Sequence, residues 1–390
     1  MPFSFTTAGE SHGPELVAIA EGVPAGLGLS VDDIDRDLAR RQLGHGRGGR
    51  MKIETDQAII VSGVRHGTTL GTPIALRIAN SDWKNWTEAM AAGQPESGKK
   101  GAPLTVPRPG HADLAGMQKF GLNDVRSVLE RASARETAAR VAVGAIARKL
   151  LAGFEISVVS HVTRIGIIEA DRPAVSPEDF LEVDESPVRC LDGKAAEAMV
   201  AEIDKARKDG ESLGGVFEVQ AFGLIPGLGS YASGPERLGG RIGGALMSIP
   251  AIKGAEIGAG FDLAGRPGSA VHDEIYFDDT GYHRRTNNAG GLEGGMTNGE
   301  PLIVRACMKP IPTLTKPLRS VDVVSGDEEP ALKERSDVCA VPAAAVVAEA
   351  MVAIELAAAF LEKFGGDCLV DVRESYLACM RRMRGNWPRG

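Results

Sequence analysis

The chain has 390 residues, 43% of them hydrophobic and 25% charged, the composition of a globular protein able to bury a sizeable core. Its 44 basic and 52 acidic residues leave a net charge of −8, and aromatics are only 5%, which counts against a general nucleic-acid surface, an anionic-membrane surface and a base-stacking platform. Cys190, Cys307, Cys339, Cys368 and Cys379 are scattered, with no Cys-x-x-Cys pair and no histidine at metal spacing, so buried free thiols and no metal centre are expected.

Near the N-terminus, Gly9-Glu10-Ser11-His12-Gly13 sets a titratable imidazole between two glycines. The run Glu15 to Val23 then reads as a strand, ended by Pro24-Ala25-Gly26. Ser30-Val31-Asp32-Asp33 has the form of a capping box, and Val31, Ile34 and Leu38 recur at helical spacing, predicting a helix to about Leu43. It empties into Gly44-His45-Gly46-Arg47-Gly48-Gly49-Arg50. Strands are predicted over Ala58 to Val64 and Pro73 to Ile78, joined as a hairpin by a turn around Gly67 to Gly71. Ser81 to Pro109 reads as a long excursion of the functional kind. Helices are expected over Ala112 to Phe120, Ala134 to Leu151, Gly193 to Lys208 and, interrupted by glycine, Pro235 to Ile249. Strands are expected over Phe154 to Ile168, Val216 to Leu224 and Leu302 to Met308, whereas Ile252 to Gly299 shows little periodicity. Two helices close the chain, Pro342 to Phe364 and Asp371 to Arg384.

Strands and helices mix without strict alternation, which favours an α+β architecture, and no linker-like composition divides residues 1–390, read as a single domain. No signal peptide is recognised. The longest apolar stretch, Val341 to Phe360, carries Glu349 and Glu355 and is read as too interrupted to span a bilayer, so no membrane association and a cytoplasmic location are expected.

Three readings of the chemistry compete. Gly9-Glu10-Ser11-His12-Gly13 fits the Gly-x-Ser-x-Gly pattern of a hydrolase nucleophile elbow, but almost no chain precedes Ser11 and a strand pattern follows it where a helix is expected. Arg40, Arg41, Arg47 and Arg50 offer planar guanidinium forks at a helix end and in a glycine loop, a geometry suited to phosphates and carboxylates. As a solvated helix terminus any one arginine needs no ligand; the cluster flanked by glycines is harder to explain without one. A polyanion-binding protein contacting RNA backbone is the non-enzymatic alternative. Arg108-Pro109-Gly110-His111-Ala112-Asp113 adds a second histidine in a rigid turn. Arg131-Ala132-Ser133-Ala134-Arg135-Glu136-Thr137 stands where the long helix is expected to begin, where unpaired N–H groups suit a phosphate. Lys309-Pro310-Ile311-Pro312-Thr313 is a stiff segment ending in a hydroxyl, and Arg335-Ser336-Asp337-Val338-Cys339 supplies an arginine beside a carboxylate. Jointly they point to a site for a polyanionic ligand, with two imidazoles to move protons.

The segments Gly9–Gly13, Arg131–Thr137 and Arg335–Cys339 closely resemble the three signature segments of the chorismate synthase family, in order and near the expected positions. Lys309 to Thr313 and Asn287-Asn288-Ala289-Gly290-Gly291 match as well, and the resemblance spans essentially the whole chain.

The resemblance implies a β-α-β sandwich with helices between antiparallel sheets, a homotetramer, and a lyase converting 5-enolpyruvylshikimate 3-phosphate to chorismate with reduced FMN and no net redox change. It implies three catalytic residues: His12 as the imidazole that protonates reduced flavin, His111 as the one near the departing phosphate, and Asp337 as the carboxylate that assists deprotonation. Flavin contacts would fall on Arg131, Ala132, Ser133, Pro250, Ala251, Gly294, Lys309, Pro310, Ile311, Pro312, Thr313 and Arg335. Substrate anions would be held by Arg41, Arg47, Arg50, Arg108 and Arg135. Arg41 and Arg47 are also associated with NADPH in the family; their forks fit the substrate, and NADPH is expected only indirectly, for flavin reduction.

Overall fold

The computed structural model describes residues 3–48, 55–95, 102–171, 176–279, 281–332 and 336–385; Arg50 and Arg335, two of the expected anion contacts, lie outside them. Two antiparallel sheets organise the chain. The first has the order β1-β2-β4-β3, formed by β1 (Ser4–Ala8), β2 (Glu15–Glu21), β3 (Ala58–Ile60) and β4 (Ile74–Ala79). Period-two alternation sets its buried face: Leu16, Ala18 and Ala20 point inward from β2, and Ile74, Leu76 and Ile78 from β4. The second has the order β8-β9-β7-β5-β6, formed by β5 (Ser157–Ile165), β6 (Ile168–Glu169), β7 (Gly215–Phe222), β8 (Ile252–Ile257) and β9 (Leu302–Met308).

Eight α-helices are described: α1 (Val31–Gln42), α2 (Asp113–Phe120), α3 (Arg126–Ala132), α4 (Thr137–Ala152), α5 (Gly193–Asp209), α6 (Leu238–Met247), α7 (Val341–Phe364) and α8 (Leu369–Gly385). The Ser30 side chain accepts from Asp33 N–H and the Asp33 side chain returns to Ser30, so the capping box starts α1 as expected. α4 packs on β2 and β4, α7 packs on β5 and β7, and α4 and α7 pack on each other. One apolar cluster runs from Phe3 to Cys379 through all of these elements. The α4–α7 contact is close because Gly144 has no side chain: a Cβ there would lie 2.2 Å from Ala350 Cβ and 2.5 Å from its Cα. Gly144→Ala is therefore expected to destabilise the fold by about 1–3 kcal/mol despite alanine's better helix propensity, because backbone has to move. A lowered urea midpoint checks this; an unchanged or raised midpoint contradicts it.

Several expectations change. β1 was not foreseen, and β8 lies inside the glycine-rich stretch read as aperiodic; it forms because it pairs with β9, Ala255 opposite Ala306 and Ile257 opposite Val304. The strands around residues 58–78 do pair, Ala58 opposite Ile78, but a separate small hairpin, Val64–Arg65 with Thr68–Thr69, stands between them. The long helix begins at Thr137, not Ala134, and the unforeseen α3 precedes it, so Arg131 and Ala132 end one helix instead of opening another. α7 is long and apolar enough to cross a membrane by length and composition, contrary to the sequence reading; 94% of its most apolar window is buried inside the protein, as a central core helix is. Cys190, Cys339 and Cys379 are buried free thiols as expected, whereas Cys307 is exposed.

Candidate active site

The first histidine stands in the turn between β1 and β2. Gly9 there has φ +107°, and a Cβ would meet the Glu15 carbonyl oxygen at 2.5 Å, so glycine is required for the chain to double back. The turn docks on α3. Ser11 N–H donates to the Glu130 carbonyl at 3.0 Å, His12 N–H to Glu130 Oε2 at 2.9 Å, and His12 Nδ1 lies 2.9 Å from the same oxygen. Glu130 is 1% exposed, and Arg126 Nη1 reaches its Oε1 at 3.1 Å. Burial by itself would raise the Glu130 carboxyl; the hydrogen bonds and charge of His12, with Arg126, outweigh it and hold the group below the ordinary value. An ionised carboxylate only accepts, so Nδ1 carries the proton and exchange with a ligand falls to Nε2. A turn between antiparallel strands is also not the strand-to-helix elbow of a serine hydrolase, which removes that reading of Ser11.

Asparagine and aspartate tie the arginines to this turn. Asn80 Nδ2 donates to the carbonyls of Gly13 at 2.7 Å and Glu10 at 3.1 Å, and its Oδ1 accepts from Arg135 Nε at 2.9 Å. Asp56 accepts from Arg135 Nη1 at 2.5 Å and Arg41 Nη1 at 3.3 Å. Arg41 also donates to Thr137 Oγ1 and to the Ala134 carbonyl. Its burial pulls the guanidinium down to about 10, Asp56 working against that and Arg135 and Arg47 with it. Arg131 donates to the carbonyls of Gly9 and Thr7 at 3.1 and 3.0 Å, and Ser133 Oγ accepts from Arg135 N–H. Asp337 meets the glycine loop: its Oδ1 accepts from Gly48 N–H at 2.6 Å, and its Oδ2 lies 3.3 Å from Arg47 Nε. A Cβ on Gly48 would be 2.8 Å from the Ser336 carbonyl oxygen, so the glycine lets the two segments touch.

The second histidine belongs to a similar arrangement in the turn that leads into α2. His111 Nδ1 makes a short contact with Oδ1 of Asp113, which is 0% exposed, and Arg108 Nε donates to Asp113 Oδ2 at 2.8 Å. Burial would raise the Asp113 carboxyl, but His111 and Arg108 reverse this and hold it well below the usual range. Arg108 Nη1 reaches Thr313 Oγ1 at 3.2 Å, and Lys309 Nζ donates to the Gly110 carbonyl at 2.5 Å. The Ile311 carbonyl accepts from Ser212 Oγ, while Pro310 and Pro312 keep the segment stiff. Lys309 N–H donates to the carbonyl of Ala251, which follows Pro250 and has φ +69°. Burial, then the charge of Lys253, lowers the Lys309 ammonium. α2 packs on α3, so the helices that carry Asp113 and Glu130 are neighbours. Gly294 stands in the separate hairpin Leu292–Thr297, beside Tyr231.

Sequence reading singled out both histidines but not what orients them. Glu130 immediately precedes a signature segment and Asp113 lies two residues after His111, signals too ordinary to separate from surface acids. Asp56, Asn80 and Trp86, whose indole stacks on His12 with ring centroids 3.9 Å apart, were not singled out for the site.

The chorismate synthase family model matches residues 3–361. Among curated relatives, the chorismate synthase of Desulforudis audaxviator is 55% identical over 385 residues, 98% of each chain, and that of Rubrobacter xylanophilus is 56% identical over 383 residues, also 98% of each. A crystal structure of chorismate synthase superposes with a TM-score of 0.80 at 43% identity, covering 99% of both chains. The chain belongs to the chorismate synthase family, a family of lyases.

Proposed function

We propose that this chain eliminates phosphate and a ring hydrogen, in the anti sense, from 5-enolpyruvylshikimate 3-phosphate to give chorismate, requiring reduced FMN with no net redox change. The observation that carries the reading is the pair of imidazoles, each oriented by a buried carboxylate from one of two neighbouring helices, with arginines beside them. His12 moves a proton at Nε2 while Glu130 holds Nδ1. His111, beside Arg108, handles the proton of the departing phosphate. Asp337, braced by Arg47 and the Gly48 N–H, assists the deprotonation. Arg41, Arg47, Arg50, Arg108 and Arg135 are assigned to the substrate's phosphate and carboxylates. Asp56 and Asp113 hold three of these forks oriented in advance, so little reorganisation accompanies binding.

The donors fit an anionic flavin. Arg131, Ala132, Ser133, Pro250, Ala251, Gly294, Arg335 and the segment Lys309–Thr313 would hold it, and a phosphate near Lys309 would relieve its unfavourable proximity to Lys253. Pro250 has no N–H, so it would contribute by packing or through its carbonyl. When bound, reduced FMN would supply one-electron redox chemistry with no net change of oxidation state. We assign residues 1–390 to one domain in which helices lie between the two sheets, assembled as a cytoplasmic homotetramer, with NADPH acting only through external flavin reduction.

Phosphate release assayed anaerobically should require chemically reduced FMN and should not occur with oxidised FMN, with or without NADPH. Turnover on NADPH and oxidised FMN alone would overturn the dependence on external reduction, and no release with reduced FMN would overturn the reading itself.

A further inference from the structure

We infer that Trp86 is a positioning residue for His12: its indole sets the plane of the imidazole, so that ligands meet the ring edge-on at Nε2 and not by stacking on its face. This rests on the proton-transfer role proposed for His12. Four side chains from three segments close a circuit. Trp86 stacks on His12 at 3.9 Å with an interplanar angle of 27°, and the Arg126 guanidinium lies 5.0 Å from the centre of the same indole. Arg126 in turn reaches Glu130 at 3.1 Å, and Glu130 holds His12 Nδ1.

The two constraints on His12 are of different kinds. A hydrogen bond at Nδ1 locates one atom of the ring but leaves rotation about that contact largely open. Stacking removes the rotation, because tilting the imidazole lifts it off the indole. Both are needed to aim Nε2 within the tolerance of proton transfer. When the imidazole carries its second proton it also becomes a cation on an aromatic face, an attraction that further penalises leaving the stack.

The indole is itself indexed to the turn that it orders. Trp86 Nε1 donates to Asp82 Oδ2 at 2.9 Å, and Asn85 Nδ2 holds the other oxygen of that carboxylate at 2.7 Å. Trp86 N–H donates to the Trp83 carbonyl at 2.8 Å. At the start of the segment, Asn80 N–H donates to the Pro14 carbonyl at 3.0 Å, and its side chain bonds the Gly13 carbonyl. The excursion after β4 is thereby fastened to the His12 turn at one end and laid over the imidazole at the other. Among the described residues of that excursion, 81–95, no other ring stacks on His12.

Two measurements test this. In the anaerobic assay with reduced FMN, Trp86→Ala should lower kcat by about 10–10²-fold, the cost of a misplacement of about 1 Å, with KM for substrate nearly unchanged; Trp86→Phe should recover most of the rate by restoring an aromatic face. A kcat unaltered in Trp86→Ala, or a loss confined to KM, overturns the role. Separately, with Trp83→Phe and Trp387→Phe leaving Trp86 as the only tryptophan, His12→Ala should raise indole emission by removing the stacked quencher; unchanged emission overturns the stack. The fluorescence arm needs no turnover, so failure of the proposed reaction would show as an inactive wild type and would leave that arm readable.

Discussion

Replacing His12 by alanine is expected to lower anaerobic phosphate release by about 10²–10⁴, the usual worth of a positioned proton donor, and His111→Ala should do the same. The two losses have different structural companions. His12 is bonded through its backbone N–H and its ring to Glu130, so His12→Ala keeps the backbone half of that contact and the turn between β1 and β2 should persist. His111 shares Asp113 with Arg108, and its removal leaves the carboxylate still held by Arg108 at 2.8 Å. Neither variant therefore strands a buried charge, and each should fold. Quench-based phosphate measurements on folded protein settle the matter: wild-type rates in both variants would refute the assigned roles. A loss in KM alone would point instead to ligand binding.

The largest stability effect is expected at Glu349, which is not among the groups assigned to ligand. Glu349, on α7 and 1% exposed, accepts from Arg40 at 2.7 and 2.9 Å, from Arg189 at 3.0 Å and from Ser160 at 2.7 Å, with Arg148 at 3.6 Å. Arg40 comes from α1, Arg148 from α4 and Ser160 from β5, so one carboxylate joins four elements. Glu349→Ala removes the anion and leaves the guanidiniums, among the described residues, with Asp37 and Asp184 as their carboxylates, so a loss of about 3–5 kcal/mol is expected from urea denaturation near neutral pH. A loss below about 1 kcal/mol would show that those two acids suffice. Burial alone would raise the Glu349 carboxyl, but the three guanidiniums bring it from an ordinary 4.5 down to about 2. A depressed folded-state value means the contribution is complete above about pH 4.5 and is lost as pH falls toward about 2. The acid limb of stability should thus be shallower in Glu349→Ala over that window, and parallel limbs would count against the coupling.

Sequence alone determined what depends on near neighbours. The capping box of α1, the α+β character, the glycine-lined arginine loop and the two histidines were legible because each is a short pattern with its own chemistry. The family resemblance was carried by equally local segments. Long-range pairing was not legible. His12 and Glu130 are 118 positions apart and Arg41 and Thr137 are 96, and nothing in either segment specifies its partner until α3 meets the β1–β2 turn and α4 packs on the first sheet. β8 likewise has no strand pattern of its own, since Lys253, Gly254 and Glu256 break its apolar run, and it becomes a strand because β9 supplies the hydrogen bonds. α7 shows the limit most plainly: its apolar composition fits either a bilayer or a protein core, and only the helices and second sheet around it decide, by burying it and by bringing three arginines to Glu349.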